Sequence, residues 1–374
     1  MMARQKYRIG VLRGDYNWRR NITRHCHEGF DFVNAIDPFR ILDSSLRRLG
    51  RRSEYVIHTH VPPTYPGVDL FHFWRMISSG SKPWIVSTST GLPFGYPRQR
   101  MRRGMELLAS DACKRIIATS MYAMEWQRRK ANSFPDICQD IMEKVEIMHP
   151  PQDVVVESWE EKEALLGEEV SLAMVGKHFF RKGGLEILRV VDRLIKEGAA
   201  IKLHIASQLS PDKHSGSSHE DIARALEIIN RHPQITLYEH LPNDEVLELF
   251  KRSHVGLLPS YVETYGYTVL EAQACACATI TTNVFAFPEI NSSDVGWVVD
   301  VMDGGYDYKS VEGRMSISES IERGLYNILS FAVENPKEIA QRGQAALDRI
   351  RDQHCPIRHA QRLYELYSEA LSGR

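Results

Sequence analysis

Leu257-Leu-Pro-Ser-Tyr-Val-Glu-Thr-Tyr-Gly-Tyr-Thr-Val-Leu-Glu-Ala-Gln-Ala274 is the most informative run in the 374-residue chain. The apolar segment His254–Leu258 reads as a buried strand, and Thr268–Ala274 reads as a helix that begins close to Gly266. A strand passing through a loop into a helix is the building step of an α/β sheet. The first N–H groups of that helix, at Gly266, Tyr267 and Thr268, lack intrahelical partners and lie at the positive end of the dipole, which makes them a seat for a diphosphate. Gly266 allows close backbone approach at whatever φ the turn demands. Two carboxylates flank the turn. Glu271 lies four residues past Tyr267, about 6 Å along the axis, a spacing that suits a ribose while the amides hold phosphates. Glu263 lies before the helix, on the side where a donor sugar would project. Sugar hydroxyls suit charged acceptors, because a hydrogen bond to an ionised group is about twice as strong as a neutral one.

A second strand-to-helix turn, Val175-Gly-Lys-His-Phe-Phe-Arg-Lys-Gly-Gly184, places Gly176, Lys177, Arg181 and Lys182 together. A departing phosphate gathers negative charge, and fixed cations aimed at it stabilise the transition state. Either turn alone could be an ordinary solvated loop. Two of them at matching positions of one domain fit the ligand edge of a doubly wound sheet.

The same pattern extends in both directions. In the second half Val170–Val175, Ile201–Ile205, Ile235–Tyr238 and Ala278–Thr281 read as strands. Gly184–Glu197 reads as a helix with Leu185, Leu188, Val191 and Leu194 on one face. Asn243 is positioned to cap a helix that runs to Arg252, with Asp244 and Glu245 in its first turn. In the first half Tyr7–Leu12, Tyr55–His58, Leu70–Phe73, Trp84–Ser87, Arg115–Thr119 and Val145–Met148 read as strands, with helices at Phe39–Leu49, Arg98–Ala112 and Met121–Lys130. His214–His219 reads as a flexible loop, and Pro356–Ser372 as a final helix. A Pro-Pro pair at 150–151 followed by an acidic stretch reads as a linker. The expected organisation is a first domain at 1–150, a linker at 151–169, a second domain at 170–351, and a terminal helix at 352–374 that packs back on the first domain. Both domains are expected to be Rossmann-like, doubly wound parallel sheets, facing a central cleft.

Composition narrows the class. With 43% apolar and 25% charged residues the chain is an ordinary folded one. Its six cysteines show no CxxC pairing, which favours reduced thiols over disulfides or structural zinc. No run approaches the ~18 apolar residues of a membrane span, and no apolar signal core opens the chain. The expected location is cytoplasmic, with contact to the cytosolic membrane face left open. Residues 1–150 carry 24 Lys and Arg against 14 Asp and Glu, and the rest carry 23 against 34. Arginine suits phosphate and carboxylate recognition. The basic half therefore points to an anionic or lipid-linked partner, or simply to attraction between the halves. Nothing points to nucleic acid. His58 and His60 alternate as strand residues do and are read as unremarkable rather than as a metal pair, and His72 as a hydrogen-bonded residue near a strand end.

The order VGK…RKGG, IKLHIAS, then HVGLLPSYVETYGYTVLEAQACACATITTNVFAFPEI, over about residues 172–290, resembles the retaining GT-B glycosyltransferases of the glycosyltransferase 4 family (glycosyl transferases group 1). The resemblance implies transfer of a sugar from a UDP- or GDP-linked donor to an acceptor hydroxyl, with the donor in the second domain and the acceptor in the first. It implies Glu263 on the donor sugar, Glu271 on the ribose and Lys182 on the phosphates, with Lys177 where the family often has Arg. No metal and no cofactor beyond the nucleotide sugar are implied, and the sequence has no Asp-x-Asp pair to hold a divalent ion. Three positions depart from the family. Ala278 replaces its usual glycine, and no histidine stands in Ser87-Thr-Ser-Thr-Gly91. The stretch Arg13–Arg20 replaces a glycine-rich loop, where Gly14 is the one candidate for facing the donor phosphates. The atypical first half keeps open a catalytically inactive nucleotide-sugar-binding partner or sensor of the same fold.

Overall fold

The computed structural model describes residues 6–12, 23, 26, 29–35, 55, 58–61, 67–303 and 305–372. They form two compact units, one of Met1–Pro151 with His354–Arg374 and the other of Gln152–Gln353. No helix among the described residues is long and apolar enough to cross a membrane.

The first unit is built on six parallel strands in the order β2-β1-β4-β6-β7-β8. These are β1 (Tyr7–Val11), β2 (Phe30–Asn34), β4 (Leu70–Trp74), β6 (Trp84–Thr88), β7 (Cys113–Ala118) and β8 (Val145–Ile147); β3 (Thr59–His60) and β5 (Ile77–Ser78) pair separately. Every residue of β6 is buried, as expected of a parallel strand covered on both faces. The final helix, Pro356–Ser372, places Leu363, Leu366 and Tyr367 in one core with Ile9, Leu70 and Ile85. The Tyr367 hydroxyl meets His72 Nδ1 at 2.7 Å, and His72 Nε2 meets Ser87 Oγ at 2.7 Å, so this histidine is a satisfied core residue. His60 is likewise buried, 3.0 Å from Ser78 Oγ.

Several expectations are corrected. The strand expected at Tyr55–His58 is the short Thr59–His60 instead, and Tyr55 is helical. Phe30–Asn34, unread in the sequence, is an edge strand of the main sheet. The helix expected at Arg98–Ala112 splits into a 3₁₀ turn, Arg98–Arg100, and a helix, Met101–Ala109. Pro135–Met142 is a further helix, with Pro135 in its first turn where a missing N–H costs nothing. Phe39–Leu49 lies outside the described residues. The stretch 151–169, read as a linker, carries structure of its own. Ser158 caps a helix, Trp159–Glu163, and Lys162 is fully buried. Its Nζ donates to the carbonyls of Phe250 (2.8 Å) and Cys275 (2.7 Å), which satisfies a charge that burial would otherwise penalise.

The second unit is also a six-stranded parallel sheet, in the order β11-β10-β9-β12-β13-β14. Its strands are β9 (Val170–His178), β10 (Ile201–Gln208), β11 (Ile235–Tyr238), β12 (Val255–Leu258), β13 (Ala278–Thr282) and β14 (Gly296–Val299). Counted within the unit this is the 3-2-1-4-5-6 order of a doubly wound sheet, which reverses direction between β9 and β12. Helices fill both faces. Gly184–Lys196 buries Leu185, Leu188, Val191 and Leu194. His219–Arg231 starts with a capping box between Ser218 and Asp221, so the loop read at His214–His219 ends in a helix start. Asn243–Lys251 is capped at Pro242 rather than by the side chain of Asn243, and the long helices Val311–Glu334 and Pro336–Gln353 close the unit.

Candidate functional site

The crevice at the carboxyl ends of two strands that flank a topological switch point is where open α/β sheets bind ligands. Here those strands are β9 and β12, and their following turns are the two that the sequence singles out. After β9 a 3₁₀ turn, Phe180–Lys182, leads to Gly183 at φ +76°, which opens the helix Gly184–Lys196. A Cβ at Gly183 would lie 2.4 Å from the Pro259 carbonyl oxygen, so glycine lets the two turns touch. The Tyr261 N–H donates to the Arg181 carbonyl at 2.9 Å. Across this junction Lys182 Nζ forms an ion pair with Glu263 Oε2.

The pair is sheltered, with the Lys182 side chain 12% and the Glu263 side chain 16% exposed. The Lys182 stem lies over Gly176, where a Cβ would approach its Cγ to 3.3 Å. Burial, then the neighbouring Arg181 guanidinium, pushes Lys182 down to about 7. The Asp212 carboxylate works in the other direction. Glu263 Oε1 accepts the N–H of Thr264 at 3.1 Å. Arg181 is lowered by burial, opposed by Asp212, and its buried Nε has no hydrogen-bond partner.

Beyond Glu263 the chain turns at Gly266, φ +99°, into the helix Tyr267–Ala274, which has no side-chain cap. A Cβ at Gly266 would fall 2.4 Å from Phe287 Cε1, so glycine is required by both conformation and space. Tyr267 and Glu271 are buried and Thr268 is partly so. The structure therefore gathers Gly176, Arg181, Lys182 and Glu263 at one junction, with Gly266, Tyr267, Thr268 and Glu271 on the helix that leaves it. Lys177 is exposed and lines, with Gly176, Ser207, Glu239, His240 and Leu241, a cavity of about 370 Å³. Gly14 lies outside the described residues.

The sequence reading missed what holds the junction in place. Tyr261 is 3% exposed, and its hydroxyl donates to Glu186 Oε1 at 2.8 Å. The one available signal was a carboxylate beside Leu185 and Leu188 near a helix start. In the basic half, some arginines are engaged within the first unit. The Arg102 fork is engaged by Asp136 (2.9 and 2.6 Å) and Glu106 (3.0 Å), and Arg128 pairs with Glu125. Arg47, Arg48, Arg51 and Arg52 lie outside the described residues.

Comparison with known proteins agrees with this geometry. Residues 155–303 match the family "Glycosyl transferases group 1". A D-inositol 3-phosphate glycosyltransferase of Segniliparus rotundus is 20% identical over 245 residues, which are 61% of this chain and 53% of that protein. The chain thus spans about half the length of the curated relatives it matches. In structure it is similar to a sucrose-phosphate synthase from Thermosynechococcus elongatus (TM-score 0.67, 13% identity, covering 99% of this chain and 100% of that one). It is also similar to Anabaena HepE in complex with UDP and glucose (TM-score 0.61, 10% identity, 98% and 100%). The chain has the GT-B fold, and the stretch similar to glycosyl transferases group 1, residues 155–303, lies within its second unit.

Proposed function

We propose that the chain is a retaining glycosyltransferase that moves a sugar from a nucleotide-sugar donor to an acceptor hydroxyl without a metal ion. The observation that carries this reading is the sheltered Lys182–Glu263 pair at the switch point, beside an uncapped helix start. A diphosphate seated on the amides of Gly266, Tyr267 and Thr268 would draw Lys182 toward its own charge, and Arg181 supplies a second cation. Glu263, released from the lysine, is then placed to accept sugar hydroxyls, and Glu271 those of the ribose. The Lys177 cavity adjoins this seat through Gly176 and suits the base. That HepE is seen with UDP and glucose supports a uridine donor. The acceptor is an anionic hydroxyl compound, phosphorylated or lipid-linked, met by arginines of the basic first unit on the cytosolic side. The similarity to D-inositol 3-phosphate glycosyltransferases is in keeping with that chemistry.

A thermal-shift series with UDP, GDP and ADP tests the donor site. Binding to the folded chain alone stabilises it by about 2.7 kcal/mol at 100 times Kd. UDP is expected to raise the melting temperature most, and no shift with any of the three would end this reading. The charge arithmetic adds a second expectation. With Lys182, Arg181 and helix amides neutralising the diphosphate, transfer should persist in excess EDTA, whereas complete loss restored by Mg²⁺ or Mn²⁺ would show that a divalent ion does this work.

A further inference from the structure

The turn that carries Glu263 also borders a second cavity, of about 490 Å³, which shares no lining residue with the Lys177 cavity. Glu186 lines it and is only 4% exposed. Its Oε1 accepts two hydroxyls, from Tyr261 at 2.8 Å and Ser318 at 2.7 Å, while its Oε2 is buried with no hydrogen-bond partner. Burial raises the Glu186 pKa, and the two hydroxyls oppose that. Because Oε1 already accepts two bonds, a proton held by this carboxyl resides on Oε2. That oxygen donates when protonated and accepts when ionised, and a ligand hydroxyl can satisfy it in either state.

Three guanidinium groups border the same cavity. Arg189 is paired with Glu322 at 2.5 Å and Arg224 with Asp221 at 3.2 Å. Arg314 differs. Its Nη1 donates to the carbonyls of Tyr308 (3.2 Å) and Lys309 (2.7 Å), and it has no carboxylate partner among the described residues. It is seated against Gly216, at φ +72°, where a Cβ would fall 2.6 Å from Arg314 Nε. One cavity is therefore lined by a guanidinium without a carboxylate partner among the described residues and by a glutamate whose buried Oε2 has no hydrogen-bond partner. A planar fork favours phosphate over a neutral group.

We propose that this cavity binds a small phosphate monoester of a polyol, with its phosphate on Arg314 and a hydroxyl on Glu186 Oε2, at a site separate from that of the sugar donor. Occupancy is coupled to the donor site through Tyr261. Its hydroxyl holds Glu186, its N–H holds the Arg181 carbonyl, and its own carbonyl accepts the Tyr306 hydroxyl. A ligand that orders Glu186 thereby orders both turns that carry Lys182 and Glu263, and by linkage the two ligands tighten each other's binding. Only this coupling rests on the proposed function; the binding itself does not.

Calorimetric titration of the full chain with glycerol 3-phosphate, inorganic phosphate and glycerol tests the site. Saturable binding of glycerol 3-phosphate, tighter than either fragment, is expected. Arg314→Met and Glu186→Leu should each weaken it about 10-fold or more, the loss of one charge-assisted or orienting bond. Arg314→Lys, which keeps the charge without the fork, should retain part of it, and Lys182→Ala all of it. Circular dichroism checks that each variant is folded. No saturable binding to the wild-type chain at millimolar probe overturns the site. So does binding that survives both Arg314→Met and Glu186→Leu, or binding that Lys182→Ala abolishes. UDP titrated with and without glycerol 3-phosphate reads the coupling, which should vanish in Tyr261→Phe; equal UDP affinity in both conditions overturns it. Absence of any UDP binding would instead overturn the donor reading and leave the glycerol 3-phosphate result standing.

Discussion

Lys182→Ala is expected to lower sugar transfer by roughly 30- to 1000-fold, because removing one fixed charge from a closed site costs about 2–4 kcal/mol of transition-state stabilisation. The substitution falls on a turn and leaves the sheet intact, so circular dichroism should be unchanged. Glu263→Ala should cost a similar amount. The double variant should cost much less than the sum, because the two side chains contact each other and their effects cannot be independent. The site also makes a prediction about pH. Lys182 is pushed down to about 7 by burial and by Arg181. A diphosphate needs the ammonium form, so UDP binding should take up a proton above that pH and weaken as pH rises. Below it the lysine is already charged and the slope should fade. In Lys182→Ala the dependence above pH 7 should flatten. Near-native turnover in Lys182→Ala, or an unchanged pH slope, would remove this lysine from the role of phosphate cation.

How much of this could be read from sequence depends on what each element buries. The buried stretches Val170–Val175 and Trp84–Thr88 are covered on both faces, so they appear as mostly apolar runs and are legible directly. Phe30–Asn34 is an edge strand with Asp31 and Asn34 exposed, and its short mixed pattern does not stand out. The helices Val311–Glu334 and Pro336–Gln353 pass unread because each shows only a narrow apolar stripe in a polar sequence, such as Ile317, Ile321, Leu325 and Leu329. In the site the glycines, lysines and glutamates of two strand-to-helix turns are visible because spacing alone puts them at helix starts. Their mutual contact is not visible. It requires β9 and β12 to be neighbours, which is a property of sheet order, and it requires Gly183 to accept the Pro259 carbonyl. The residues that support the turns are hidden for a different reason. Glu186 and Lys162 are charged residues at buried positions, and composition assigns such residues to the surface unless their partners are known.

Lys162 gives that point its largest measurable consequence. The carbonyls it holds belong to the ends of two helices: Phe250 in the last turn of Asn243–Lys251, and Cys275 at the C-cap of Tyr267–Ala274. Carbonyls at a helix C-terminus have no intrahelical donor, and the negative end of the dipole favours a cation there. One ammonium group satisfies both ends, with Cys277 Sγ at 3.3 Å as a third neighbour. Lys162→Met keeps most of the apolar stem and removes the donor, which leaves the buried Cys275 carbonyl unmet, while the Phe250 carbonyl keeps the Ser253 N–H at 3.1 Å. At about 1–3 kcal/mol for a stranded buried carbonyl, the second unit should lose roughly 1–3 kcal/mol of stability. That loss is read as a lower urea midpoint at unchanged slope. Because Tyr267–Ala274 is the helix that leaves the Glu263 turn, UDP affinity should fall in the same variant even at temperatures where it remains folded. Glu163→Gln, one residue away and exposed, should do neither. A Lys162→Met protein with a urea midpoint close to that of the wild type would mean that the two helix ends are satisfied by something other than this lysine.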